Sequence, residues 1–376
     1  NLALIRRYFL PTSLMMGAVI GAGVFSLPYV IVKSGWVLGA FWLLLGTVVV
    51  TLIHLFYADL VLMTSGKHNF VGLNKIYSGN FYAAIALVAS LVQMFFELLV
   101  YLVLTFSFAK IMGISSGLGV MLIFWATASA AIFLSLKKLE FLETFITVAV
   151  VAIIFLLFSW SLPNINNLKF ELKSLGESIY WLLPLAPIIF SLNGRVGIVE
   201  TIRVTERRDV RGVILAGTII PAIIYLLFIV AAFNLSTQVT PDGITGLLGA
   251  IPNFFLFGIG ILGLLCIWSS YVIMGYDMED VMRFDLKMHG SLRVLLVVFL
   301  PLFLYFLGFS DLTALVSFIG GIFLGVEAFL IIKMWWRAVF KMNKKSFIFK
   351  TRPVGLMSLV GGVFVIVLIA ELAKYL

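Results

Sequence analysis

Charge and cysteine are what this chain has least of. Aspartate, glutamate, lysine and arginine make up 11% of its 376 residues, hydrophobic residues make up 62%, and the mean hydropathy is +1.17. No water-soluble surface can be assembled from that ratio, which excludes a soluble globular protein. Cys266 is the single cysteine. It excludes an intramolecular disulfide and, inside an apolar stretch, leaves the redox compartment unread. The formal net charge is +9, yet the basic residues lie scattered between apolar stretches and form no single patch, so a nucleic-acid partner is not expected. P-loop, zinc, Gly-x-Ser-x-Gly and nucleic-acid motifs are missing, as are a soluble domain and a low-complexity linker. So few polar residues inside apolar stretches offer an enzyme neither a nucleophile nor a metal cluster. The chain starts at Asn1 without a cleavable signal pattern, because its first apolar stretch is too long and is interrupted by glycines.

What is present suits lipid. There are 35 Phe and 8 Trp, and stretches of about 20 apolar residues between polar punctuation read as eleven membrane spans. They are placed at 9 to 34, 36 to 63, 80 to 111, 117 to 135, 141 to 162, 177 to 203, 210 to 234, 252 to 278, 291 to 308, 311 to 336 and 354 to 376. With a cytoplasmic N-terminus, only Lys33, Lys110, Lys169, Lys173 and Lys374 fall outside, Arg195 lies within a span, and every other lysine and arginine falls inside. The positive-inside rule therefore favours a multi-pass inner-membrane protein with an exterior C-terminus.

Two spans are written to break. The first contains Gly17-Ala18-Val19-Ile20-Gly21-Ala22-Gly23-Val24-Phe25; each glycine costs a helix about 1 kcal/mol relative to alanine. Unwound backbone at membrane depth is tolerated only where it lines a cavity or is covered by protein. The sixth contains Pro184 and Pro187, then Phe190-Ser191-Leu192-Asn193-Gly194-Arg195-Val196-Gly197. Interrupted segments at corresponding positions of two halves point to an inverted-repeat transporter and its binding site. Spans one to five (residues 1–162) and six to ten (163–336) would be the repeats, with residues 337–376, a basic loop and the eleventh span, appended. Backbone groups of Ile20, Gly21, Ala22 and Gly23 would meet a small zwitterion, while Ser191, Asn193 and Gly194 would bind its ammonium group or side chain. The bland readings are a glycine packing run, since Gly17 and Gly21 are also small-xxx-small, and a proline-kinked sixth helix.

GAVIGAGVFSLP resembles the first span of the amino acid/polyamine/organocation superfamily, whose members share the LeuT-type fold. Phe190 through ETIRVTERRDVRGVILAGTIIPAIIYLLF resembles their sixth and seventh spans. The segment Tyr276 to Asp285, with VTPDGITGLL before the eighth span, is similar to prokaryotic aromatic amino acid permeases of the amino acid/auxin permease branch. The resemblance implies an all-α membrane protein with a 5+5 inverted repeat, a discontinuous first and sixth helix, one extra helix, and amino acid transport by alternating access. It also implies a sodium site: Cys266-Ile267-Trp268-Ser269-Ser270 looks like the eighth-span pattern of sodium-coupled carriers, which carries over to the Ser269 and Ser270 hydroxyls with the Cys266, Gly17 and Ile20 carbonyls. The alternative is two serines bonded back to their own helix. Proton-coupled relatives place a lysine from the fifth span where sodium would sit, and no lysine or arginine occurs from Glu140 to Pro163, so sodium is favoured. The branch often carries a glutamate two positions after the glycine matching Gly194; Val196 stands there.

Ionisable groups inside spans are functional candidates by default. Arg195 and Glu97 are the deepest; Asp59, Glu200 and Glu327 lie nearer cytoplasmic ends, and His54 is in the second span. A buried arginine needs a carboxylate, so Arg195 is expected to pair with Glu97 or Glu200, or else to serve as a substrate-carboxylate ligand or inner gate. Glu97 would be the proton carrier if protons drive transport. Gln93, one turn earlier, would line the pocket or face another helix. Phe190, Trp268 and Tyr271 would shape the side-chain site or simply pack. The expected protein is a secondary amino acid symporter, with a proton-coupled permease and a non-transporting sensor as alternatives. In the sensor the basic loop from Arg337 to Arg352 would dock a partner. No cofactor beyond the coupling ion is expected, and a monomer in lipid is the expected assembly.

Overall fold

A computed structural model describes residues 5–66, 68–133, 139–163 and 181–373. Among the described residues there is no strand. The expected break in the first span is present as two pieces, Arg7–Val19 and Ala22–Ser34, bent by 53°. Seven further helices are long and apolar enough to cross a bilayer: Trp36–Met63, Asn80–Ile111, Leu185–Arg203, Val210–Leu235, Asn253–Phe284, Leu312–Lys341 and Val354–Leu372. Three shorter apolar helical segments, Gly117–Ile132, Phe145–Ser161 and Gly290–Phe306, complete a set compatible with eleven spans.

Local signals explain most ends. Gly35, with φ of +89°, turns the chain between the first and second spans, a conformation glycine adopts at no steric cost. Ser116 and Asp311 accept the Gly119 and Ala314 amides at the starts of the fourth and tenth spans, as N-cap side chains do. Between the second and third spans the structure has a further short helix, Phe70–Ser78, which counting spans does not predict. Asn69 caps it by accepting the Gly72 amide at 2.7 Å, and Gly79 with φ of +91° ends it. The eighth and tenth spans run on to Phe284 and Lys341, beyond their expected ends at 278 and 336, so Tyr276 to Phe284 is helix and not a following loop. The sixth span is described from residue 181 only; Lys67, Lys137, Lys138, Lys169, Lys173 and Lys374, used for the orientation, lie outside the described residues.

The third span lies at the centre of the bundle, against the eighth, fourth and ninth spans and the helix Phe70–Ser78. The first half-span packs against the seventh span, the second half of the sixth, and the fifth. Large apolar side chains such as Phe81, Phe254 and Phe329 point outward and are more than half exposed, which in lipid carries no cost. The loop before the eleventh span is tied down. Asp59, fully buried on the second span, accepts Trp335 Nε1 and Ser346 Oγ at 2.7 Å and the amides of Phe347 and Ile348 at 2.8 and 3.1 Å. Lys344 adds bonds to the Met63 carbonyl and the Tyr77 hydroxyl.

Candidate functional site at the paired helix breaks

The first break is two residues long. Helix Leu10–Val19 stops at Ile20, whose ψ of 98° is extended and whose amide still reaches Met16 O at 2.7 Å; Gly21 follows at φ −140° and ψ −155°. The sixth-span helix Leu185–Leu192 stops at Asn193, with ψ of 119°, and Gly194 opens Arg195–Arg203. Each break therefore exposes a helix C-terminus and a helix N-terminus, whose unpaired carbonyls and amides carry partial charge.

The two breaks touch. A Cβ on Gly23 would stand 2.5 Å from Ser191 Cα, and one on Gly194 would collide with the Val19 side chain. Only glycine permits that approach. Beside Gly21, by contrast, a Cβ would meet nothing within 4 Å, so open space adjoins the unwound backbone there. Ile20, Ala22 and Gly23 are buried.

Two side chains that sequence reasoning did not place at the site tie it together. Tyr225 of the seventh span is fully buried, with its hydroxyl 2.8 Å from Val19 O and 2.9 Å from Ser191 O, one carbonyl from each break. His54 of the second span, also fully buried, accepts the Gly194 amide on Nε2 at 3.1 Å and contacts Thr218 Oγ1 through Nδ1 at 2.9 Å. Because Thr218 donates to Ile214 O, it must accept from His54, which fixes the neutral imidazole with its proton on Nδ1. Thr218 and Tyr225 are seven residues apart, two turns along one face of the seventh span. Nothing in the local sequence distinguishes Tyr225 from the other tyrosines, whereas His54 was visible as a histidine within a span.

The other candidates are partly engaged. Ser191 donates its hydroxyl to Pro187 O at 2.7 Å, leaving its carbonyl as the group facing the first break. The Asn193 side-chain oxygen accepts the Arg195 amide at 3.3 Å and so caps the second half-helix. Phe190 is buried near Gly320 of the tenth span. Gln93 and Glu97, both buried, pair with each other at 2.8 Å.

The expected partner of Arg195 is corrected. Arg195 Nε lies 2.7 Å from Glu327 Oε1 of the tenth span, both buried, and Arg195 stacks on Phe70 with its guanidinium 4.6 Å from the ring centre. Glu200 instead pairs with Arg203 on its own helix and is 63% exposed. Helical spacing turns Glu200 away from Arg195, and tertiary packing, which no single sequence shows, supplies Glu327. The Nε–H is not aimed along the contact, and Glu327 Oε2 has no donor among the described residues. Glu97 and Asp277 are within electrostatic reach of this pair.

Of the sodium candidates, Ser269 donates to Cys266 O at 3.0 Å, both buried, and Ser270 is half-buried. Gly17 and Ile20 sit on the first span; the fifth span is a main neighbour of both the first and the eighth.

The model of the tryptophan/tyrosine permease family matches residues 6–309, from the first break through the ninth span. The chain belongs to that family. No curated protein matches the permease by sequence. Among solved structures it is similar to MhsT in complex with L-phenylalanine, at 16% identity and a TM-score of 0.68 over 98% of the permease and 97% of MhsT. It is also similar to Mhp1, a nucleobase-cation-symport-1 family transporter in a closed conformation with bromovinylhydantoin bound, at 14% identity and a TM-score of 0.58 over 98% and 92% of the two chains. The permease thus has the LeuT-type fold of these transporters, with discontinuous first and sixth helices. It is a multi-pass membrane transport protein and not an enzyme.

Proposed function

We propose that the permease is an ion-coupled amino acid symporter working by alternating access, with an aromatic amino acid as its substrate. The observation that carries this reading is the meeting of two helix breaks at Gly23 and Ser191, with open space beside Gly21. Amides at the start of one half-helix suit a carboxylate, and carbonyls at the end of another suit an ammonium group. The family name and the L-phenylalanine held by MhsT support the aromatic side chain. The repeats are taken as residues 1–162 and 163–336, followed by 337–376, and the N-terminus as cytoplasmic.

The coupling ion has two candidate seats. Sodium would sit between the first and eighth spans on Gly17, Ile20, Cys266, Ser269 and Ser270. A proton would sit on Glu97, hydrogen-bonded to Gln93, or on Glu327, paired with Arg195. Glu97, buried and hydrogen-bonded to the neutral Gln93 side chain, supports the second seat, because a buried carboxylate facing a neutral partner is costly and protonation removes the charge. The sensor alternative loses ground, since the loop meant to dock a partner is bonded to Asp59.

Thermal stability of the purified permease, scanned across the standard amino acids in sodium or in choline, tests both levels, because a ligand of the folded state raises the melting point. Stabilisation by aromatic amino acids alone is expected. Equal shifts in the two salts favour the proton seat, a larger shift in sodium favours the eighth-span seat, and no shift overturns the amino acid reading.

A further inference from the structure

The breaks leave a surplus of acceptors at one point. Helices Leu10–Val19 and Leu185–Leu192 both end there, and the last carbonyls of a helix have no donor within it. Val19 O and Ser191 O converge on one oxygen, Tyr225 Oη, at 2.8 and 2.9 Å, with Val19 and Ser191 each 2% exposed. A phenol has one proton to give, so it satisfies one carbonyl at a time. Both half-helices also present their negative ends to the same spot. The position suits a donor with several protons and a positive charge, and a phenol occupies it. Phenylalanine would fill the same volume, so packing does not account for the hydroxyl.

A carrier that accumulates its cargo must return empty through a closed state. In that state the Val19 and Ser191 carbonyls would be buried without a donor, which is unfavourable. We propose that the Tyr225 hydroxyl stands in for the substrate ammonium: its single proton, shared in turn between these two carbonyls, caps them in the empty permease, allowing it to close and reset, and yields them when an amino acid binds. This rests on the amino acid reading above. Tyr225 is a positioning residue in the empty half of the cycle and a competitor of the ligand in the loaded half. The neighbouring His54 cannot take the role, since its ring nitrogens are held by Gly194 and Thr218.

Tyr225→Phe, assayed in liposomes, tests it. Counterflow exchange uses only loaded crossings, while net uptake also needs the empty return. Net uptake is expected to fall about tenfold further than exchange does, the factor for roughly one lost buried hydrogen bond, with amino acid binding tighter for want of a competitor. Equal loss of exchange and net uptake, as a purely structural role gives, overturns the proposal, as does no loss or weaker binding. Should the variant not fold, 3-fluorotyrosine introduced at position 225 of the otherwise native chain reports through its fluorine resonance. The signal is expected to shift on adding an aromatic amino acid but not on adding the arylpropionate that lacks the amino group; an unmoved signal with the amino acid overturns the proposal. Absence of any amino acid exchange by the native permease defeats the carrier reading before Tyr225 is touched, so the two failures are separable.

Discussion

Gly21 and Gly23 are two residues apart and have opposite surroundings. A methyl on Gly23 meets the Ser191 backbone at 2.5 Å, while a methyl on Gly21 meets nothing within 4 Å, and the Gly21 φ of −140° is open to any residue. Gly23→Ala is therefore expected to destabilise the empty permease by about 1–3 kcal/mol, the usual cost of overpacking, read as a lower melting point. Gly21→Ala should leave the melting point alone and weaken amino acid binding about tenfold or more, as an extra methyl in a pocket does. At Arg195 the outcome depends on what is left behind. Glu327→Gln strands a buried guanidinium and should cost about 3–5 kcal/mol. The double variant Arg195→Met with Glu327→Leu should recover most of it in the same thermal assay.

At the scale of elements, the first half-span is fastened at its N-terminal end. Arg7 grips Asp209, the residue before the seventh span, through Nε at 2.6 Å and Nη2 at 2.9 Å, and Tyr8 adds a bond at 3.1 Å. The seventh span thus holds the first at both ends, through Asp209 and through Tyr225. Asp209→Asn should free the lower half-span, seen as faster thiol labelling of Leu14→Cys on a Cys266→Ser background; unchanged labelling would show that this tie does not gate access. The Arg7 hydrogen bond holds the Asp209 carboxyl below the usual carboxylate range. A lowered folded-state pKa stabilises above the unfolded value and is lost as pH falls through the lowered one. The tie should accordingly hold at neutral and mildly acidic pH, with its contribution to the melting point lost only below the ordinary carboxylate range.

Across the whole molecule, backbone punctuation was legible and tertiary pairing was not. The broken first and sixth spans followed from glycines and prolines inside apolar runs, because those residues act on their own helix whatever surrounds them. The Phe70–Ser78 helix also had its signals, Asn69 as cap, Gly79 as stop and Phe70, Leu73 and Tyr77 on one face, but at nine residues it is too short to register as a span. Glu327 as the partner of Arg195, and His54 and Tyr225 as ties across the breaks, depend on which helix faces come together from 132, 140 and 206 residues away in sequence. The most direct test of the central claim, that the paired breaks carry an amino acid, is counterflow of labelled tryptophan into liposomes holding the purified permease. Internal unlabelled aromatic amino acid is expected to drive rapid entry of the label, with Gly21→Ala slowing it severely. Failure of every standard amino acid to drive entry, by a permease shown to be folded, would contradict the account.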